Sequence, residues 1–108
     1  MKFKKIKTMN HTVISIKDSL EFANERQIKP IFKNDNCKII QLAFKKGQGL
    51  PEHTTPIDAY LQVIEGECEL TMGGETFTLK VNEAIVLPKG EVHEVWAKTS
   101  DVRMLLTR

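Results

Sequence analysis

What most constrains this chain is how often its apolar runs are interrupted. From Lys38 onward, apolar and β-branched residues come in short runs, each closed by glycine, proline or asparagine. Runs this short are strands rather than helices, and their spacing is that of an all-β barrel or sandwich. Strands are expected near 38–44, 53–55, 60–64, 67–72, 76–79, 84–87, 93–97 and 102–106. Met72-Gly73-Gly74-Glu75 joins two alternating runs. A Gly-Gly pair there predicts a two-residue hairpin, whose favoured turn needs positive φ at both central positions. Pro51, Pro56 and Pro88 fall between the expected runs, where a missing N–H does no damage.

The first third of the chain reads differently. Asp18-Ser19-Leu20-Glu21 resembles a capping box, and with Phe22 and Ala23 it predicts a short helix over 18–26. Val13, Ile14 and Ile16 suggest an edge strand before it. Pro30 stops any helix, and Ile31-Phe32 restarts an extended segment. A chain of 108 residues supports one hydrophobic core and not two. The expectation is a single domain over 1–108, with a barrel core at about 38–106 and an N-terminal extension over 1–37.

Charge and cysteine content narrow the function classes. The net charge of +2 includes Lys2, Lys4, Lys5, Lys7, Lys45 and Lys46, which form no continuous basic stripe interleaved with aromatics. Nucleic acid is therefore not an expected partner. No apolar run approaches the length of a membrane span, and no secretory h-region follows the basic start. The expectation is a cytoplasmic protein with no membrane partner. Cys37 and Cys68 lack the close spacing of a zinc or redox motif, so two reduced thiols are expected. Cys68 alternates in phase with Leu70 and Met72, which points it into the core.

Two motifs carry a family resemblance. Gly47-Gln48-Gly49-Leu50-Pro51-Glu52-His53-Thr54-Thr55, followed by Val63-Ile64-Glu65-Gly66-Glu67, resembles the first conserved motif of the cupins. Pro88-Lys89-Gly90-Glu91-Val92-His93 resembles their second. The stretch from 38 to 106 is thus similar to a small single-domain cupin of the cupin 2, RmlC-like type. The resemblance implies an antiparallel double-stranded β-helix, or jelly-roll, barrel.

The resemblance also implies a site. Metal-binding cupins use two histidines and a glutamate from the first motif and a histidine from the second. Here His53 and His93 stand at ligand positions, Thr55 takes the place of the second histidine and Ala59 that of the glutamate. Asp58 is one residue out of register, and a one-residue shift in a strand turns a side chain to the other face. Two imidazoles make an incomplete first shell, since catalytic zinc or non-haem iron normally takes three protein ligands. The expected ligand pocket is His53, Thr55, His93 and Gln62, with His53 and His93 as metal candidates for zinc, iron, nickel or manganese.

Other residues are read against that pocket. Strict alternation sets Tyr60 and Gln62 opposite Ala59, Leu61 and Val63, whereas a bulge after Pro56 would bring Gln62 into the cavity. His11 would supply a third ligand if the N-terminal segment crossed the barrel mouth. Glu52, Glu91 and Glu94 are each an odd number of positions from the nearest histidine and should face away. Trp96, opposite in parity to His93, is expected on the outer face, under the N-terminal segment or in a homodimer contact. No Ser-His-Asp order, Cys-His pair, P-loop or dinucleotide fingerprint can be assembled. The function expected is binding of a small molecule around His53 and His93. The alternatives are a metal-dependent isomerase or dioxygenase of cupin type, and a non-catalytic structural or regulatory domain.

Overall fold

The computed structural model describes residues 3–6 and 11–108, with side chains from residue 12 onward. Among these described residues eleven strands run in the order β1 Phe3–Ile6, β2 His11–Ile14, β3 Gln27–Lys33, β4 Lys38–Phe44, β5 Gly49–His53, β6 Ala59–Glu65, β7 Cys68–Met72, β8 Glu75–Leu79, β9 Ala84–Leu87, β10 His93–Trp96 and β11 Val102–Thr107. They form a two-stranded ribbon β1-β2, a four-stranded sheet β5-β10-β7-β8 and a five-stranded sheet β3-β4-β11-β6-β9. Every pairing is antiparallel. Among the described residues no helix is long and apolar enough to cross a membrane.

Period-2 alternation determines how the two larger sheets face each other. Ile40, Leu42, Phe44, Leu61, Val63 and Met104 turn inward from the five-stranded sheet, and Cys68, Leu70 and Val95 from the four-stranded one, into one continuous core. Full burial of a side chain such as Phe44 or Leu61 stabilises the fold by roughly 1.5–3 kcal/mol. Gly73 and Gly74 hold φ of 60° and 77° in the β7–β8 hairpin, the conformation predicted for that turn. Gly49 serves a different purpose. A Cβ placed there would run into the Trp96 ring and the Val95 carbonyl, so only glycine lets β5 lie this close to β10.

The barrel takes in more chain than 38–106. Strand β3 pairs with β4 from Gln27↔Ala43 to Lys33↔Lys38, with a bulge between Pro30 and Phe32. Pro30 is tolerated because β3 is an edge strand. Pro51, likewise, lies within β5 at the edge of the other sheet rather than between strands.

The helix predicted over 18–26 does not form. Residues 16–20 make turns and bends instead. The reason lies in where the carbonyls of this segment find donors. Gln41 Nε2 donates to Ile16 O at 2.6 Å, Gln48 Nε2 to Ala23 O at 2.9 Å, and Arg103 Nη1 to Leu20 O. Ser19 Oγ meets the buried Gln41 Oε1, and the Arg103 guanidinium also lies 4.3 Å from the Phe22 ring centroid. Arg103 is completed by Glu65 at 3.1 Å. Three side chains of the barrel therefore tie this segment down through its carbonyls, and one of them, Arg103, takes the Leu20 carbonyl that a helix would pair internally, so tertiary contacts override the local capping signal.

Candidate functional site

The site is built where β5 ends and β10 begins. His53 and His93 are directly opposed partners across that pair, and alternation turns both rings to the inner face. Their centroids are 4.3 Å apart with the planes at 71°, an edge-to-face contact. His93 is 1% exposed, whereas His53 is only half-buried.

Each ring is fixed by a carbonyl two residues upstream in the chain. His53 Nδ1 donates to Pro51 O at 2.8 Å and His93 Nδ1 to Glu91 O at 3.0 Å. A carbonyl only accepts, so the proton each ring places on this bond sits on Nδ1, and in the neutral tautomer Nε2 carries the lone pair. His93 Nε2 is buried and has no hydrogen-bond partner. Burial pushes the His93 imidazole below its ordinary range, and the neighbouring His53 adds to the effect. The carbonyl and carboxylate of Glu91 oppose it more weakly. The ring is therefore held neutral, as an acceptor or a base.

Thr55 lies just past β5, is buried, and donates from Oγ1 to Ile57 O at 2.8 Å. It joins both histidines around a cavity of about 30 Å³ walled by Leu42, Leu50, Leu61, Leu87, Val95 and Leu106. That volume has room for one water or one small polar group. The loops that follow β5 and precede β10 are tied together, by Gly90 N to Thr55 O at 2.9 Å and by Lys89 N to Asp58 Oδ1 at 2.8 Å. Asp58 thus points away from the histidines and fixes a loop, as its register implies.

Gln62 does not join them. Strand β6 alternates without a bulge at this point, Ala59, Leu61 and Val63 being buried, so Gln62 stands on the opposite face of the sheet, outside the cavity. Ala59 is buried on the inner face, at the position the resemblance gives to a carboxylate. Glu52, Glu91 and Glu94 border an outer groove of about 410 Å³ with Met72 and the Gly73-Gly74 turn. His11 lies in β2, and its side chain falls outside the described residues.

Among the described residues no group of three or more His, Cys, Asp or Glu is placed to hold a metal ion. The donor set that faces the cavity is two imidazoles and one hydroxyl, short of the three strong ligands a catalytic zinc or non-haem iron takes. This set does not fit a resident catalytic metal.

Trp96 lies on the outer face of the four-stranded sheet, half-buried against Gly49 and beside Glu25 and Arg26. Arg26 Nη1 donates to Gly49 O at 3.1 Å. The outward placement of Trp96 was legible from its parity, which left open whether the N-terminal segment or a second copy lies over it. Missed in the sequence was the role of Gln41 and Arg103, polar residues in otherwise apolar runs, which was the signal that something must pack over them.

Comparison with known proteins bears on this geometry. The model of the cupin domain family matches residues 41–107. An uncharacterized protein of Aquifex aeolicus (strain VF5) is 34% identical over 97 residues, covering 84% of this chain and 79% of its own. Among solved structures, a cupin 2 conserved barrel domain protein from Leptotrichia buccalis is 31% identical with a TM-score of 0.76, over 82% of this chain and 43% of that one. An RmlC-like cupin protein from Desulfovibrio desulfuricans is 25% identical with a TM-score of 0.78, over 88% and 92% of the two chains.

Proposed function

The chain belongs to the cupin domain family, and from that premise we propose that it binds a small molecule through the paired imidazoles of His53 and His93. The observation that carries this reading is the buried Nε2 of His93, which has no partner. An unpaired buried acceptor costs about 1–3 kcal/mol, and a ligand donor would recover that. Both Nδ1 atoms are committed to backbone carbonyls, so what the site offers is acceptors. The matching ligand presents a hydroxyl or N–H group. A cavity of about 30 Å³ admits that group alone, with the rest of the molecule lying toward the half-buried His53. Two free thiols, one of them buried, support placing the protein in the reducing cytoplasm.

A metal-dependent enzyme is the second reading, favoured by one observation. Metal-ligating histidines characteristically donate the other ring N–H to a carbonyl, as both do here. The two readings separate by experiment. Elemental analysis of untagged protein is expected to give far less than one transition metal per chain. Titration with ethanol, phenol and acetamide, followed by the ¹⁵N resonance of His93 Nε2, is expected to show a saturable shift with at least one probe. A near-stoichiometric metal would replace the first reading with the second. Metal-free protein whose Nε2 resonance ignores every probe would leave the structural or regulatory reading.

A further inference from the structure

We propose that a groove around Arg103, outside the barrel and apart from the paired histidines, binds a small monocarboxylate with an apolar body. Arg103 and Leu105 alternate with the buried core residues Val102 and Met104, and so point out of the barrel. The segment after β2 packs over this part of β4 and β11. Beside it the groove encloses about 380 Å³, walled by the apolar residues Ile16, Ile64, Val81 and Leu105 and by Lys17, Glu65 and Arg103. That volume lies at the low end of the range for small-molecule sites. No residue of the histidine cavity lines it.

The apolar wall is held open by the backbone. Asn82 takes a φ of 69°, uncommon for a residue other than glycine. Its N–H donates to Val63 O at 2.8 Å, and Val63 N donates to Glu83 O at 3.0 Å. The β8–β9 loop is thereby locked to β6, which keeps Val81 in the groove wall at 49% exposure. Apolar surface fixed in this way offers a ligand contact without a cost in loop ordering.

Arg103 supplies the recognition element. It is only 8% exposed, and its guanidinium lies against the Phe22 ring. Nε donates to Glu65 and Nη1 to the Leu20 carbonyl, while among the described residues Nη2 has no partner and is not sealed from solvent. Because the fork is already fixed, little side-chain entropy is left to lose when Nη2 donates to a carboxylate. Lys17 is in no ion pair among the described residues. Lys17 and Arg103 set against Glu65 leave one positive charge, which a single carboxylate balances. A phosphate would carry a second charge unmatched beside Glu65, and an amine would meet two cations.

Octanoate titrated into the full ¹⁵N-labelled chain tests this. Saturable shifts of the Lys17, Gly66 and Val81 amides are expected, with dissociation at about millimolar concentration. Hexanoate should bind at least about fourfold more weakly, since it buries two fewer methylenes. Octylamine, which keeps the tail and reverses the head charge, should bind at least about tenfold more weakly. Lys17→Glu and, separately, Val81→Asp should each weaken octanoate at least about fivefold. Both positions are exposed, so folding should survive, and circular dichroism checks it. Lys45→Glu, away from the groove, should change nothing. No saturable shift by about 20 mM overturns the proposal, as does octylamine binding as tightly as octanoate, or indifference to both groove substitutions. Shifts centred on His53 and His93 instead would also overturn it, while leaving the histidine site standing.

Discussion

His53 and His93 face each other across the β5–β10 pair with ring centroids 4.3 Å apart, and the deeper ring has no hydrogen-bond partner for Nε2. Because the His93 imidazole is pushed below its ordinary value of about 6.5, the unfolded chain takes up its proton at a higher pH than the folded one. The stability that comes from keeping His93 neutral is complete above about pH 6.5 and is lost as pH falls through the lower, folded value. Urea unfolding at pH 7.5 and 5.5 should show wild type losing stability over that interval. His93→Gln should lose less, and an equal loss in both would assign the pH dependence elsewhere.

Thr55 and Ala59 occupy the positions where the family resemblance places a histidine and a glutamate. Both are buried on the inner side of the barrel, and Thr55 shares a cavity with both histidines. Thr55→His combined with Ala59→Glu should therefore bind nickel or zinc at least about a hundredfold more tightly than the parent, since each new ligand replaces a water on the ion. Overpacking should cost about 1–3 kcal/mol, and loss of the Thr55 bond to Ile57 O about 1 kcal/mol. Isothermal titration decides. A folded double variant with no gain in affinity would show that these positions do not converge on one ion, and submicromolar binding by the parent would show a third ligand already present.

Gly49→Ala should destabilise the barrel by about 3 kcal/mol or more, because the added methyl group meets the Trp96 ring and the Val95 carbonyl rather than a movable chain end. Trp96 is the only tryptophan, so its emission maximum should move to the red in the folded variant as the ring is displaced. An unchanged spectrum and melting temperature would place the ring elsewhere.

The two cysteines should react at very different rates. Burial raises the Cys68 thiol to about 11, with Glu67 contributing in the same direction against a hydrogen bond from Leu79. Only the thiolate is nucleophilic. In native protein at pH 8, iodoacetamide should modify the half-buried Cys37 and leave Cys68 until the chain unfolds. Equal rates by mass spectrometry would contradict the buried position.

How much of this was legible in the sequence depended on how local the controlling contacts are. Strands β6 to β11 matched the expected runs closely, because alternation and Gly or Pro punctuation are properties of neighbouring residues. The same parity argument put Trp96 outside and Cys68 inside. Gln62 was misplaced by admitting a bulge after Pro56, whereas β6 alternates regularly from Ala59 to Val63 and its register shift against β11 falls beyond, at Ile64. The helix over 18–26 failed for a non-local reason, since donors on β11 and the β4–β5 turn hold its Leu20 and Ala23 carbonyls and one on β4 holds Ile16 just before it. For the site, the histidines and their spacing could be read directly. Their hydrogen bonds to Pro51 and Glu91, and the small cavity they enclose, could not.

Those captured carbonyls also bear on the order of assembly. The donors to Ile16, Ala23 and Leu20 are 25, 25 and 83 residues away in sequence. Gln41 and Arg103 come into place only once β4 and β11 have paired, and long loops must close before such contacts repay their entropy. The segment around 16–23 should therefore dock last during refolding and release first during unfolding. Pulse-labelled amide exchange would show this as late protection, and protection of the segment ahead of the β4–β11 ladder would reverse the order. Its docking is then a late clamp on a barrel already formed, rather than a nucleus for it.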